Sequence, residues 1–385
     1  MVVLITNIPT PYRVPLFNLI SEKLTSLNQQ FHVVFEMLTY KRRQWKDVIE
    51  EAKFAYTILN LPKIHVGYEK ALTLPLGLTK RIAALNPTCL VIVGYNMSAM
   101  ISAIFAYHHN IPFIIWSGET ESLYAQRFGR LGRTYIRKKL IKHTSALVAY
   151  GTAAQSYLQS IGASKDKINI AINCVDTKFF KNRVRTLRHN KKLNPKNKIK
   201  LLFVGYLQHR KGLEFVIKAL NHIESDLVEL DIVGDGPARG YYTKLVRSLN
   251  LSNVTFYGFI QKKELPSYYA QADIFIFPSI KELFGLVLVE AAAAGLPIIA
   301  SKFAGGTMDV VKDGKNGFIV NPYDIEGLAH RIKKLCLDRK LREEMSKYSL
   351  EIINNSVNIH KSAEGFMNAV MSCGLNLTNS LIPSL

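Results

Sequence analysis

Acidic side chains are scarce in this sequence. Its 385 residues hold 29 Asp and Glu against 50 Lys and Arg, a formal charge of +21. The shortage is local: residues 1–200 hold 30 Lys and Arg against 10 Asp and Glu, and residues 201–385 hold 20 against 19. A surface of one sign draws the other towards it, so the first half is expected to face something anionic. Cysteine is sparse as well. Cys89, Cys174, Cys336 and Cys373 form no C-x-x-C pair, which excludes a zinc knuckle and a dithiol redox motif. Isolated thiols fit a reducing compartment, as small core residues. There is no D-x-D pair. Glu229-Leu230-Asp231 comes nearest, but it falls in an alternating strand pattern and reads as structural. Long apolar runs are missing too. The stretch from Cys89 to Trp116 is broken by Gly94, Asn96, His108-His109-Asn110 and Pro112, where a membrane helix needs about 20 consecutive apolar residues. Met1–Ile5 is apolar but short and has no basic segment before it, so a signal peptide is not expected. After the first strand the chain reads Asn7-Ile8-Pro9-Thr10-Pro11, without the G-x-G-x-x-G of a nicotinamide-dependent oxidoreductase. The basic residues come with no nucleic-acid-binding module, and no nucleic-acid partner is expected.

What is present is an alternation of short apolar runs with longer amphipathic ones. Strands are expected at Val2–Thr6, Phe31–Met37, Leu90–Val93, Phe113–Trp116 and Ala146–Ala149. A second series is expected at Lys200–Val204, Glu229–Val233, Val254–Tyr257, Ile274–Phe277 and Ile298–Ala300. Helical patterns such as Pro15–Leu27, Leu213–His222 and Leu286–Ala294 separate them. This order predicts α/β architecture, with parallel sheets covered on both faces. Between the two series, Lys181–Lys200 is basic and poor in large apolar residues, and reads as a linker. Two Rossmann-like domains follow, residues 1–185 and 198–355, facing each other across a cleft.

Three segments of the second half carry chemistry. Gly205-Tyr206-Leu207-Gln208-His209-Arg210-Lys211-Gly212 follows the strand Lys200–Val204. A glycine at a strand's end lets a ligand approach the backbone, and Arg210 and Lys211 put two cations at that sheet edge. A diphosphate would need both; alone, the segment reads equally as a basic surface loop. Gly234-Asp235-Gly236-Pro237 is a tight turn at the same edge and alone is an ordinary loop. The third segment is Pro278-Ser279-Ile280-Lys281-Glu282-Leu283-Phe284-Gly285, running into Leu286-Val287-Leu288-Val289-Glu290-Ala291. A buried strand ends at Pro278 and a helix opens near Gly285. The amides of Gly285 to Val287 would then point at a bound anion. Glu282 and Glu290 bracket that anion site. Carboxylates do not bind phosphate, but they accept hydrogen bonds from sugar hydroxyls. A diphosphate flanked by two polyols describes a nucleotide sugar.

With these residues the chain resembles the retaining GT-B glycosyltransferases of family 4. Their E-x7-E motif matches Glu282 and Glu290, with FGLVLVEAAAAGLP around it. Ile172-Asn173-Cys174-Val175-Asp176, Gly305-Gly306 and Asp313-Gly314-Lys315-Asn316-Gly317-Phe318 also look like the family, and the resemblance is densest from 200 to 322. It implies a GT-B fold and a donor pocket that includes Gly205, Gly234, Asp235, Phe284, Gly285, Leu286 and Val287. It also implies that Glu290 binds the ribose, Glu282 contacts the transferred sugar, and Lys211 with Arg210 stabilises the leaving diphosphate. Where the family usually has an arginine directly after the first glycine, this chain has Tyr206, and Arg210 would substitute. The implied reaction needs no cofactor and no metal. A UDP-sugar is expected over a GDP-sugar as donor. A GT-B sugar-nucleotide-binding protein or an epimerase would share the pocket.

The first half would bind the acceptor, with a final helix near Ile359–Met371 crossing back to it. Its loop Thr10-Pro11-Tyr12-Arg13 resembles the TPYR variant of bacterial members, which would place Tyr12 and Arg13 at the cleft. Where many members have a histidine, this chain reads Trp116-Ser117-Gly118-Glu119-Thr120; Glu119 would contact the acceptor or cap a helix. The stretch Tyr124–Lys142 carries Arg127, Arg130, Arg133, Arg137, Lys138, Lys139 and Lys142 at helical spacing. It would meet an anionic membrane or form a solvated face. The resemblance implies a peripheral enzyme on the inner face of the cell membrane. Such an enzyme would act on lipid-linked or oligosaccharide acceptors for a lipopolysaccharide or capsule.

Overall fold

A computed structural model describes residues 1–39, 45, 48–66, 70–121, 130–189 and 198–374. The chain divides into two compact units: Met1–Ile172 with the chain from Ile359 onward, and Asn173–Asn358.

The first unit is built on a parallel seven-stranded sheet of β1 (Val2–Thr6), β2 (Phe31–Phe35), β3 (Ala55–Ile58), β6 (Cys89–Val93), β7 (Phe113–Ser117), β8 (Ala146–Ala149) and β9 (Ile168–Ile170). Its order is β3-β2-β1-β6-β7-β8-β9. β4 (Lys63–Val66) and β5 (Lys70–Thr73) form a separate antiparallel hairpin. Every residue of β1, VVLIT, is buried, as a strand covered on both faces requires. The helix Ile359–Met371 docks on this unit at its expected position. Phe366 meets Trp116 at 5.4 Å and Phe31 at 6.3 Å between ring centroids. Gly365 permits the docking, because a Cβ there would lie 1.9 Å from the Ile170 carbonyl oxygen.

The second unit holds a six-stranded parallel sheet of β10 (Ile199–Val204), β11 (Val228–Val233), β12 (Val254–Gly258), β13 (Ile274–Phe277), β14 (Ile298–Ser301) and β15 (Gly317–Val320). The order is β12-β11-β10-β13-β14-β15. Chain order reverses between β10 and β13, and loops at the carboxyl ends of strands flanking such a reversal form a crevice where ligands bind.

Two expectations are corrected. The chain leaves the first unit at Ile172, not at 185. Much of the expected linker is helix: Thr177–His189 packs on the helices Leu265–Gln271 and Leu286–Ala293 of the second unit. Phe180 and Val184, one turn apart, are its buried residues together with Thr177, and its charges lie on the rest of the surface. Residues 190–197 lie outside the described residues. Glu229 and Asp231 are structural, as expected: the Lys200 ammonium sits 3.5 Å and 3.7 Å from them across the β10–β11 pair.

Candidate active site

The loops after β10 and β13 meet at the reversal point of the second sheet. After β10 the chain makes a single helical turn, His209–Lys211, and then Gly212 takes a left-handed conformation at φ +69°. A Cβ there would lie 2.1 Å from the Pro278 carbonyl oxygen, so only glycine lets the two loops come together. Arg210 fastens the contact. Its carbonyl accepts from Ile280 N at 3.0 Å, its Nη1 donates to the Lys281 carbonyl at 2.9 Å, and its Nε donates to Gln208 Oε1 at 2.9 Å. From the far side, Gly305 N and Gly306 N, beyond β14, donate to the Glu282 and Phe284 carbonyls. The loop carrying Glu282 is therefore pinned on both flanks.

Charge is concentrated here. Lys211 Nζ pairs with Glu282 Oε2, and Arg210 Nη1 lies 3.5 Å from the same oxygen. Burial alone would raise the Glu282 carboxyl. The Lys211 charge and hydrogen bond, with the Arg210 charge, outweigh it and hold the group below the usual carboxylate range. Glu282 therefore stays ionised and holds two cations beside it.

The helix Leu286–Ala293 starts from Gly285, at φ +95°, with no side-chain cap. The first-turn amides of a helix lack intrahelical acceptors and carry the positive end of its dipole. Little more than one turn in, Glu290 is partly buried, and its Oε2 accepts from the Tyr269 hydroxyl at 2.7 Å. Burial pushes its carboxyl up to about 7, against the Tyr269 hydrogen bond and the more distant Lys262 charge. A partly buried group poised to ionise near neutrality marks a functional-site candidate.

The other expected donor-side residues adjoin. Phe284 is buried and anchors Gly306. Gly205 and Gly234 cross so closely that a Cβ on Gly234 would lie 1.9 Å from the Gly205 carbonyl oxygen. Asp235 accepts from Gly236 N at 2.8 Å and lies 3.4 Å from Arg239. Leu286 and Val287 form the opening turn and are partly exposed. The sequence alone did not single out Tyr269. The one signal it gives is a pair of tyrosines, Tyr268-Tyr269, ahead of a buried strand.

In the first unit the expected residues are placed differently. Arg13 does not open onto solvent. It is buried, donates to Thr6 Oγ1 at 2.8 Å and to the Tyr150 hydroxyl, and lies 5.7 Å from the Trp116 and Tyr150 ring centroids. Tyr12 is partly exposed and sits edge-on to Trp45 at 6.5 Å. Glu119 pairs with Arg137. Arg137 is therefore not part of a basic face: it is buried, donates to the Tyr157 hydroxyl at 2.7 Å and stacks 4.6 Å from the Tyr95 ring. Arg133, Lys138, Lys139 and Lys142 of the helix Arg130–His143 are exposed, beside exposed Tyr135 and Ile136. Arg127 and the Arg130 side chain lie outside the described residues.

Comparison with known proteins places this geometry. Residues 184–351 match the family model described as "Glycosyl transferases group 1". A protein of the Klebsiella pneumoniae cps region is 30% identical over 239 residues, covering 59% of this chain and 64% of that protein. An uncharacterized glycosyltransferase of Methanocaldococcus jannaschii is 29% identical over 287 residues, covering 67% and 73%. Among solved structures, Anabaena HepE in complex with UDP and glucose superposes with a TM-score of 0.73 at 20% identity, covering 96% of this chain and 99% of that one. WaaG, a glycosyltransferase involved in lipopolysaccharide biosynthesis, gives a TM-score of 0.68 at 17% identity, covering 97% and 100%. At these identities the superpositions establish the fold, which is GT-B.

Proposed function

We propose that this chain, whose residues 184–351 match the group 1 glycosyl transferase model, moves a sugar from a nucleoside-diphosphate sugar to a lipid-linked or oligosaccharide acceptor with retention at the anomeric carbon. One observation carries the reading. Two carboxylates, Glu282 and Glu290, flank an uncapped helix start, and Lys211 and Arg210 face the first of them. The helix start and the cations suit the diphosphate. Glu290 suits the ribose hydroxyls, and Glu282 suits those of the transferred sugar. As the bond from the anomeric carbon to the diphosphate oxygen breaks, its electron pair goes to that oxygen. Lys211 and Arg210 stabilise the growing charge. The acceptor oxygen bonds to the same face and its proton passes to the leaving phosphate, so positioning replaces a strong protein base. These groups supply the charge neutralisation without a metal ion or cofactor. The cps-region relative supports a surface-polysaccharide role, and the UDP-bound neighbours support a UDP-sugar as donor.

Titrating UDP, GDP and ADP by calorimetry tests the donor site. UDP is expected to bind selectively, and Glu290→Ala to weaken it about tenfold or more by removing hydrogen bonds to a charged group. Absence of binding by the folded protein to all three nucleotides overturns the reading.

The acceptor side is proposed to work at the inner face of the cell membrane. No helix among the described residues is long and apolar enough to cross a bilayer. The exposed cations and aromatic residues of Arg130–His143 suit an anionic lipid surface, at about 1 kcal/mol per cation. Sedimentation with phosphatidylserine vesicles is expected to recover the wild type, and Lys138→Glu with Lys139→Glu to cut recovery several-fold. Equal recovery by phosphatidylcholine vesicles would count against it.

A further inference from the structure

Resting on the reading of Glu290 as the ribose acceptor, we infer that Tyr269 is a positioning residue for that carboxylate and that the helix Thr177–His189 is the strut holding the two together. Tyr269 lies in the seven-residue helix Leu265–Gln271, too short to be stable on its own. Its ring is fully buried, edge-on to Phe180 at 5.8 Å and tilted against Phe275 at 5.9 Å. The hydroxyl donates to Glu290 Oε2. A phenol has one proton to give, so this contact fixes one carboxylate oxygen and leaves the other to a ligand.

Phe180 belongs to the strut, and so does Arg188. The Arg188 guanidinium donates from Nε to the Ala270 carbonyl at 3.3 Å, from Nη2 to Tyr269 at 3.3 Å and from Nη1 to Ala294 at 2.9 Å. One planar fork thus ties the carboxyl ends of the two helices that carry Tyr269 and Glu290. A cation at helix carboxyl ends also complements both dipoles. Lys181 adds a third attachment, donating to Asn354 Oδ1 at 2.9 Å.

The groups that bear on the Glu290 charge are few. Tyr269 donates to it, and Lys262, from the loop before that helix, acts at longer range. From Thr177–His189, Arg188 reaches the backbone of Ala294 and not the carboxyl group. From the helix Arg339–Asn355, Ser346 and Ser349 reach the Gly295 and Leu296 carbonyls. Tyr269 is therefore the group in direct contact that opposes the burial of the Glu290 charge, and removing its hydroxyl leaves burial less opposed.

The experiment is UDP titration from pH 6 to pH 9 on the full chain, in wild type, Tyr269→Phe, Arg188→Lys and Glu290→Ala. Tyr269→Phe is expected to lose about fivefold in affinity at pH 7, approaching tenfold at pH 6, with the midpoint of its affinity–pH curve moved up by about one unit. Arg188→Lys keeps the charge but not the fork, and is expected to move the midpoint in the same direction. It also keeps the inference testable if Tyr269→Phe does not fold. Uniform weakening at every pH with an unmoved midpoint is structural damage and overturns the inference. So does wild-type affinity and midpoint in Tyr269→Phe while Glu290→Ala binds weakly. Wild-type binding by Glu290→Ala instead removes the ribose reading and the inference with it.

Discussion

Lys211→Ala is expected to lower the turnover number about 10²–10³-fold, as removal of one preorganised charge-stabilising donor does elsewhere. The effect should fall on turnover more than on donor affinity. In the proposed reaction the lysine's partner would change, from Glu282 in the free site to a diphosphate that gains negative charge as the sugar departs. Interactions that strengthen towards the transition state act on the rate. A second consequence follows from the ground state. Without Lys211, Glu282 keeps Arg210 at 3.5 Å and the Leu283 backbone hydrogen bond to oppose its burial, so its carboxyl titrates higher. The residual activity of the variant should therefore fall at a higher pH than wild-type activity does as the solution is acidified. Steady-state kinetics across pH 5–9 reads both effects. Arg210→Ala is the internal comparison. Arg210 is the more exposed of the two cations and spends hydrogen bonds on Gln208 and Lys281, so a loss of about tenfold is expected, from one partly solvated interaction. A Lys211→Ala enzyme with wild-type turnover would remove the lysine from the chemistry. A wild-type-like rate in Arg210→Ala would refute its substitution for the arginine absent at Tyr206.

The sequence reading succeeded where the pattern was local. β1, β8 and β13 are short runs of apolar residues with no competing helical period, and their bounds match the expected ones. Glu290 stood out because it interrupts an apolar stretch in which a carboxylate without a role would be costly, and Glu282 because it lies in the short loop ahead of that helix. What escaped depended on contacts between remote segments. β3 and β9 are short edge strands with exposed or half-buried positions, so their patterns are weak. The helix Thr177–His189 was hidden by composition. Its lysines and arginines outweigh Phe180 and Val184, although the spacing of those two was present in the sequence. No spacing rule says which way Arg13 points. Thr6, Trp116 and Tyr150 decide it, and the last two, in β7 and just after β8, lie more than a hundred positions away. Glu119 was left between two roles because its partner, Arg137, was counted with the solvated cations. Tyr269 became visible only with Glu290 beside it. In each of these cases the missing information was the orientation of a side chain whose type had already been noted or passed over.

Glu290→Gln is expected to make the free protein more stable and a worse nucleotide binder. The folded carboxyl titrates at about 7, against about 4.3 for an unperturbed glutamate. Between those values the folded state holds a proton that the unfolded chain has released. Stability therefore falls as pH rises through that window, and the loss is complete above about 7. Glutamine abolishes this term. On the order of 2–3 kcal/mol should be regained at pH 8 and nothing at pH 4, which thermal melts at the two pH values will read. Binding should move the other way. At pH 8 the carboxylate can accept from both ribose hydroxyls, whereas glutamine offers one acceptor oxygen. UDP affinity should fall about 10–100-fold, the range for lost hydrogen bonds to a charged group. Wild-type affinity should itself drop towards that of the variant as pH falls below 7, approaching tenfold per unit, while the variant lacks that slope. The terminal phosphate of UDP, which titrates near 6, contributes equally to both and cancels in their ratio. A variant that melts no higher than wild type at pH 8, or that binds UDP with the wild-type pH dependence, would mean that Glu290 is neither strained in the free site nor used by the ligand. If both expected effects appear, the free energy withheld from folding by the desolvated carboxylate is recovered when ribose hydroxyls satisfy it, and the site favours nucleotides that present those hydroxyls.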